Sequence, residues 1–237
     1  MQHQILELAV EESINKLKVL YGNTRMNSDI YNIISSGSEG NCEIAFKYVM
    51  IDCGVSFKKI KPYLKDIKII FLSHKHSDHF NLRTIQKIQQ ERPTVRVACG
   101  IWMLENLIGI NNIDILELNK IYDYKTFKVS IGKLYHDTKN SFFRLFFGDY
   151  KIFRATDTVH LEGITAKGYD LYAIEHNYCE EYIQEAIEEA RANGEYTHAY
   201  GNINTHLSIQ QARAFIEENR KESSEVLELH KSRSFYH

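Results

Sequence analysis

Proline is scarce, two in 237 residues, and neither charge sign dominates. Lys and Arg number 29 against 31 Asp and Glu, a formal net charge of −2. That balance does not fit a protein that grips long nucleic acid by its phosphates, which calls for a basic excess or stripe. No uninterrupted apolar run approaches the roughly 20 residues of a membrane span, so no membrane association is expected. Cysteine is sparse as well. Cys42, Cys53, Cys99 and Cys179 are widely spaced, form no CxxC pair and read as reduced thiols of a cytoplasmic protein. The opening MQHQILELAVEESINKL is acidic and helix-periodic, so no signal peptide is expected there. Fixed-period repeats, low-complexity tracts and a long dividing linker are lacking too, which leaves one main domain. Few prolines beside abundant Ile, Lys, Asn and Tyr suggest an AT-rich bacterial or phage genome.

What is present is globular: 43% hydrophobic and 25% charged residues, enough for one sizeable core. Residues 5–21 place Ile5, Leu8, Ala9, Leu17, Leu20 and Tyr21 mainly at three- and four-residue intervals, then stop at Gly22-Asn23. This predicts an amphipathic helix. Residues 1–28 thus read as a helical appendage and 29–237 as the main domain. Strand patterns follow at 30–35, 43–52 and 67–72, with a short helix at 56–65. A helix fits 81–91, ended by Pro93, then a strand at 94–99 and a helix at 101–108. Four or five strands are expected between 113 and 155. A strand at 170–175, helices at 179–192 and 208–220 and a strand at 225–230 complete the chain. Two facing sheets with outer helices account for this α/β order.

One loop carries chemistry. FLSHKHSDHF, residues 71–80, puts His74, His76, Asp78 and His79 just after a buried-strand pattern. His74 and His76 are two apart and project to one side, while Asp78 and His79 can turn toward a second point nearby. The spacing suits two metal ions better than one closed tetrahedron, and structural zinc sites usually draw on cysteine pairs.

HKHSDH is an HxHxDH motif, and with it the chain resembles the metallo-β-lactamase-fold hydrolases. Further segments resemble that family's motifs in order: IDCG with Asp52, YHDT with His136, ATDT with Asp157, and LELHKSRSFY with His230. The closing HxSxR is similar to the phosphodiesterase branch. The resemblance covers about residues 30–233 and implies an αβ/βα sandwich. It also implies that His74, His76 and His136 hold one metal, that Asp78, His79 and His230 hold another, and that Asp157 bridges them. A donor set of imidazole and carboxylate without thiolate suits two Zn²⁺, with Mn²⁺ as the alternative. Asp52 fits an outer role, orienting a ligand histidine.

Two more segments point to phosphodiesters. AIEHNY resembles the HEAT segment of tRNase Z and places Glu175 near the metals; NTHLSIQQA places His206 just before a helix, like the family's HLS element. In that branch such a pair protonates the leaving oxygen, so Asp78, Glu175 and His206 are the candidate catalytic residues. An alkoxide is a poor leaving group without a general acid. SSGSEGNCEI resembles the opening hairpin of cytosolic exonuclease-like and phage members. Its glycines serve either a tight turn or a phosphate approached by Ser38 and Asn41.

No long exosite arm or inserted domain is evident, and the acidic helix 179–192 would repel a passing polyphosphate. A small cyclic nucleotide is therefore the expected substrate, most like those of the phage anti-Pycsar enzymes, which counter a host defence in its cytoplasm. A nuclease on RNA or single-stranded DNA is the alternative. A glyoxalase-type thioesterase would leave the HxSxR motif without a reason, and a nucleotide-sequestering protein would not need Glu175 and His206. The apolar stripe of helix 5–21 needs cover, either from a second subunit, giving a homodimer, or from its own domain.

Overall fold

The apolar runs become strands of two sheets. In the computed structural model, which describes residues 30–236, the predicted helix 5–21 and the whole 1–28 appendage lie outside the described residues. The first sheet has the spatial order β1 (Tyr31–Ser35), β2 (Cys42–Ala45), β3 (Val49–Ile51), β4 (Ile69–Leu72), β5 (Arg96–Gly100), β6 (Ile113–Leu116). The second comprises β7 (Ile121–Asp123), β8 (Lys128–Tyr135), β9 (Lys139–Phe147), β10 (Tyr150–Ala155), β11 (Leu171–Glu175) and β12 (Glu225–Leu229), again neighbours in chain order.

Period-two alternation explains the layering. In β3 and β4, Val49, Ile51, Ile69 and Phe71 face the second sheet, where they meet Val129, Phe143 and Leu145. The intervening Met50, Ile70 and Leu72 face outward onto Ile60, Ile85 and Ile88 of α1 (Phe57–Ile60) and α2 (Leu82–Glu91). On the far side, Phe153, Tyr172 and Ile174 pack under Ala212, Phe215 and Ile216 of α5 (Ile209–Asn219). Both sheets are thus buried on two faces over much of their area, as parallel strands require.

Strand direction decides where a site can form. β3 to β6 are mutually parallel, and so are β10 to β12. β8 runs with β10, because both are antiparallel to β9. Their carboxyl ends therefore emerge at a common edge, the usual place for a ligand in such sheets.

The structure corrects four local expectations. The single strand predicted over 43–52 is a hairpin of β2 and β3, turned at Phe46 and Lys47 with φ of 49° and 67°. No glycine marks that turn; Phe46 is held there by stacking on Phe147, ring centroids 4.1 Å apart. The helix at 101–108 is a shorter 3-10 segment, Ile101–Asn106. The helix at 56–65 divides into α1 and a 3-10 turn, Lys61–Tyr63, where Pro62 interrupts the bonding. An unpredicted helix, α4 (Ala199–Thr205), precedes His206; its AYGNINT sequence has little helix propensity. The acidic α3 (Glu180–Asn193) ends as predicted, with Gly194 in the left-handed region at φ 69°. Among the described residues no helix is long and apolar enough to cross a membrane.

Candidate metal centre

Every candidate ligand lies just past the carboxyl end of a strand. The 73–80 loop follows β4, His136 follows β8, Asp157 follows β10 and His230 follows β12. Asp52, Asp157 and His230 all adopt positive φ, at 54°, 59° and 51°. Such strain in non-glycine residues turns each side chain back into the centre and is characteristic of functional sites.

The candidate ligands form two clusters, His74, His76 and His136 in one and Asp78, His79, Asp157 and His230 in the other, with the ligand atoms within 4.8 Å of one another in each; Asp157 and His230 also group in this way with Glu175 and His206. Outer contacts aim the imidazoles. His79 Nδ1 donates to Asp52 Oδ2 at 2.7 Å and His136 Nδ1 donates to the Thr205 carbonyl at 2.8 Å, so each presents its Nε2 lone pair to the centre. His74 Nδ1 lies 3.0 Å from Ser73 Oγ, while its buried Nε2 has no hydrogen-bond partner. His76 is reversed: Nε2 meets Asp137 Oδ1 at 3.3 Å, and Nδ1 faces His136 Nε2 at 3.3 Å.

Asp157 stands between the clusters. Its Oδ1 is 4.0 Å from His136 Nε2 and 3.4 Å from His230 Nε2. Its Oδ2 is 2.9 Å from His79 Nε2, an ion pair when that imidazole is protonated. The orphaned, buried imidazole nitrogen of His74 would be costly unless a cation filled the gap. The residues present therefore fit a metal-binding centre.

The electrostatics divide the clusters. Burial, with His79 nearby, pushes the His74 imidazole well below its usual range, and burial likewise lowers His136. Burial opposes a proton on His79 too, but the carboxylates of Asp157 and Asp52 outweigh it and hold that imidazole up at about 10. His230 is similarly raised against burial, mainly by Asp157.

Glu175 and His206 come together as expected. Glu175 Oε1 is 2.7 Å from His206 Nδ1, and its Oε2 accepts from the Leu207 and Thr158 amides at 3.2 Å each. Glu175 is fully buried, not a solvated strand-end carboxylate. Burial disfavours a charged His206, but Glu175 wins and raises it above the ordinary histidine value. The ring also stacks on His230, centroids 5.1 Å apart.

The glycine-rich loop braces the centre. Asn41 is buried; its amide donates to the Gly37 carbonyl at 3.1 Å and to the Asp78 carbonyl at 3.3 Å, so it ties two loops together, whereas Ser38 is exposed. Ser36 Oγ accepts from the His230 amide at 2.7 Å. Gly54 of IDCG lies against the Asp78 backbone, and a Cβ there would overlap the Asp78 carbonyl.

Sequence reasoning missed the support behind Asp52. Arg154 in β10 and Glu43 in β2 are both fully buried, with Arg154 Nη2 2.8 Å from Asp52 Oδ2 and 3.3 Å from Glu43 Oε2. Burial would raise the Asp52 carboxyl, but Arg154 and His79 hold it far below the usual range. The available signal was one charge of each sign inside the apolar strands CEIA and YKIFRA.

No protein-family model matches the chain, and no curated protein matches it in sequence. Solved structures do. The metallo-beta-lactamase fold protein YhfI from Bacillus subtilis shares 15% identity over 87% of this chain and 97% of its own, with a TM-score of 0.57. The human short-form tRNase Z shares 15% over 86% of this chain and 92% of its own, TM-score 0.61. A diphosphatase of the PhnP family shares 13% over 87% and 88%, TM-score 0.59. With the sheet order and the strand-end cluster, these likenesses establish that the chain has the metallo-β-lactamase fold.

Proposed function

We propose that this protein is a dinuclear-metal hydrolase of phosphodiesters, acting on small cyclic nucleotides. The observation that carries the reading is the Glu175–His206 pair set beside the His74–His76–His136 cluster and the cluster that contains Asp157. His74, His76 and His136 would hold one ion, and Asp78, His79 and His230 the other; zinc suits the nitrogen and oxygen donors, with manganese the alternative. Ions so held supply Lewis acidity toward a phosphate and ease deprotonation of water. The chain's own residues complete the reaction. Glu175 keeps His206 protonated, and His206 gives its proton to the departing ribose oxygen, which would otherwise leave as an unstable alkoxide. Asp52, braced by Arg154, holds His79 in the ligating tautomer.

The fold likeness to a tRNase Z and to a diphosphatase supports chemistry at phosphorus. A small substrate is favoured by the acidic face of α3, which opposes a long polyanion. In a phage-encoded setting such an enzyme would remove a host cyclic-nucleotide signal. The test is purified protein with cyclic mono-, di- and trinucleotides beside labelled RNA, with bound metal counted by mass spectrometry. Metal-dependent ring opening is expected, with two ions per chain. Cleavage of RNA alone would establish the nuclease reading instead, and absence of both would overturn the hydrolase.

A further inference from the structure

A cavity of about 810 Å³ opens directly beside His136, and the reaction proposed above makes no use of it. One wall is the 3-10 segment after β5, with Ile101 and Trp102, continued by Leu116 and Leu118 after β6. The other is the β8–β9 hairpin, where Lys133, Tyr135 and Lys139 project on one face and Lys139 is the cross-strand neighbour of Tyr135. Large apolar side chains are left uncovered here: Ile101 is 60% and Leu118 41% exposed. A mainly apolar concavity of this size, continuous with a reactive centre, has the character of a ligand pocket.

We propose that this cavity binds the base of the nucleotide substrate, an inference that rests on the phosphodiesterase reading. Flat walls favour a planar heteroaromatic group over a branched or linear aliphatic one. The Trp102 ring lies flat on Gly100, where a Cβ would collide with it. Its Nε1 donates to the Ser73 carbonyl at 3.3 Å, so the wall and His74 share one frame. Across the cavity, Tyr135 is held by His160, stacked with centroids 4.3 Å apart. Such rings accept any base through stacking.

Charge agrees with a nucleotide. Glu117 is paired with Lys120 at 3.0 Å, and Asp137 is turned toward His76 and His136 at 3.3 Å each. Lys133 Nζ lies 4.6 Å from the Tyr135 centroid, and Lys139 has no ion pair among the described residues. Lys133 and Lys139 against Asp137 leave the hairpin wall a cationic excess, which suits an anionic ligand whose apolar end is buried.

Trp102 is the only tryptophan in the chain, so its fluorescence reports this cavity directly. The full-length protein is titrated with cyclic mononucleotides carrying each base and with baseless ribose 3′,5′-cyclic phosphate. Base-bearing ligands should quench Trp102 saturably and the baseless one should not. Leu118→Asp and Ile101→Asp should weaken base-dependent binding on the order of tenfold and cut the preference for base-bearing over baseless substrate similarly. Gly100→Ala, which displaces the ring, should reduce the quench. Hydrolysis with Trp102 silent, or equal quenching by the baseless sugar, overturns the base pocket and leaves the hydrolase standing. Quenching without hydrolysis keeps the pocket and overturns the hydrolase. Neither signal overturns both.

Discussion

At the scale of single residues, His206 is the most informative. Its raised proton affinity comes from Glu175, against burial, so the protonated form persists below the raised value and is lost as pH rises through it. His206→Ala should keep its metal yet lose on the order of 10²–10⁴-fold in rate on a ribose leaving group. The loss should shrink on a p-nitrophenyl ester, whose leaving group needs no proton. Turnover should decline on the alkaline side, and Glu175→Gln should move that decline to lower pH. A pH–rate profile of both variants checks the assignment. An equal loss on both substrates would make His206 a phosphate-positioning residue.

At the scale of elements, the centre depends on a tie between the sheets. Arg154 in β10 faces Glu43 in β2 and Asp52 after β3, all fully buried. Arg154→Met would leave the buried Glu43 without a cation and Asp52 with His79 alone, at a cost of about 3–5 kcal/mol. Denaturant unfolding should register that loss. Metal affinity should fall about 10–100-fold as well, because Asp52 would no longer be held against His79. Glu43→Gln removes only the more distant carboxylate, and burial already raises that carboxyl against Arg154, so its effect should be smaller on both counts. Equal effects would mean that Glu43, not Asp52, is the partner that matters.

At the scale of the whole molecule, the appendage raises the question of assembly. The sequence spaces Ile5, Leu8, Leu17 and Leu20 as one helical stripe would, and for such a stripe a two-fold partner is the simplest apolar cover. We therefore expect a homodimer that deletion of residues 1–28 weakens. Light scattering at micromolar concentration decides it. A monomeric intact chain excludes the dimer, and a dimer unchanged by the deletion moves the interface onto the main domain.

The candidate metal ligands were legible in sequence, HKHSDH through its residue types and spacing and the others through their resemblance to the metallo-β-lactamase motifs. HKHSDH announces itself within six residues, and the motifs around Asp52, His136, Asp157 and His230 follow at strand ends whose apolar runs are plain. Long, periodic elements such as α2, α3, α5 and the strands around them were equally readable. The turn at Phe46-Lys47 was not, because aromatic stacking across to Phe147 holds it and no turn residue marks it. Helix α4 was hidden by weak local propensity. Arg154, Glu43 and the cavity beside His136 belong to the same class: residues 111 positions apart in the chain meet only when two sheets close on each other. The sequence by itself determined which groups could bind metal and where strands would present them. Tertiary packing alone decided how Asp157 stands to the other ligand groups, how Asp52 is braced and where the cavity beside His136 opens, since those follow from contacts between strands that no local pattern encodes.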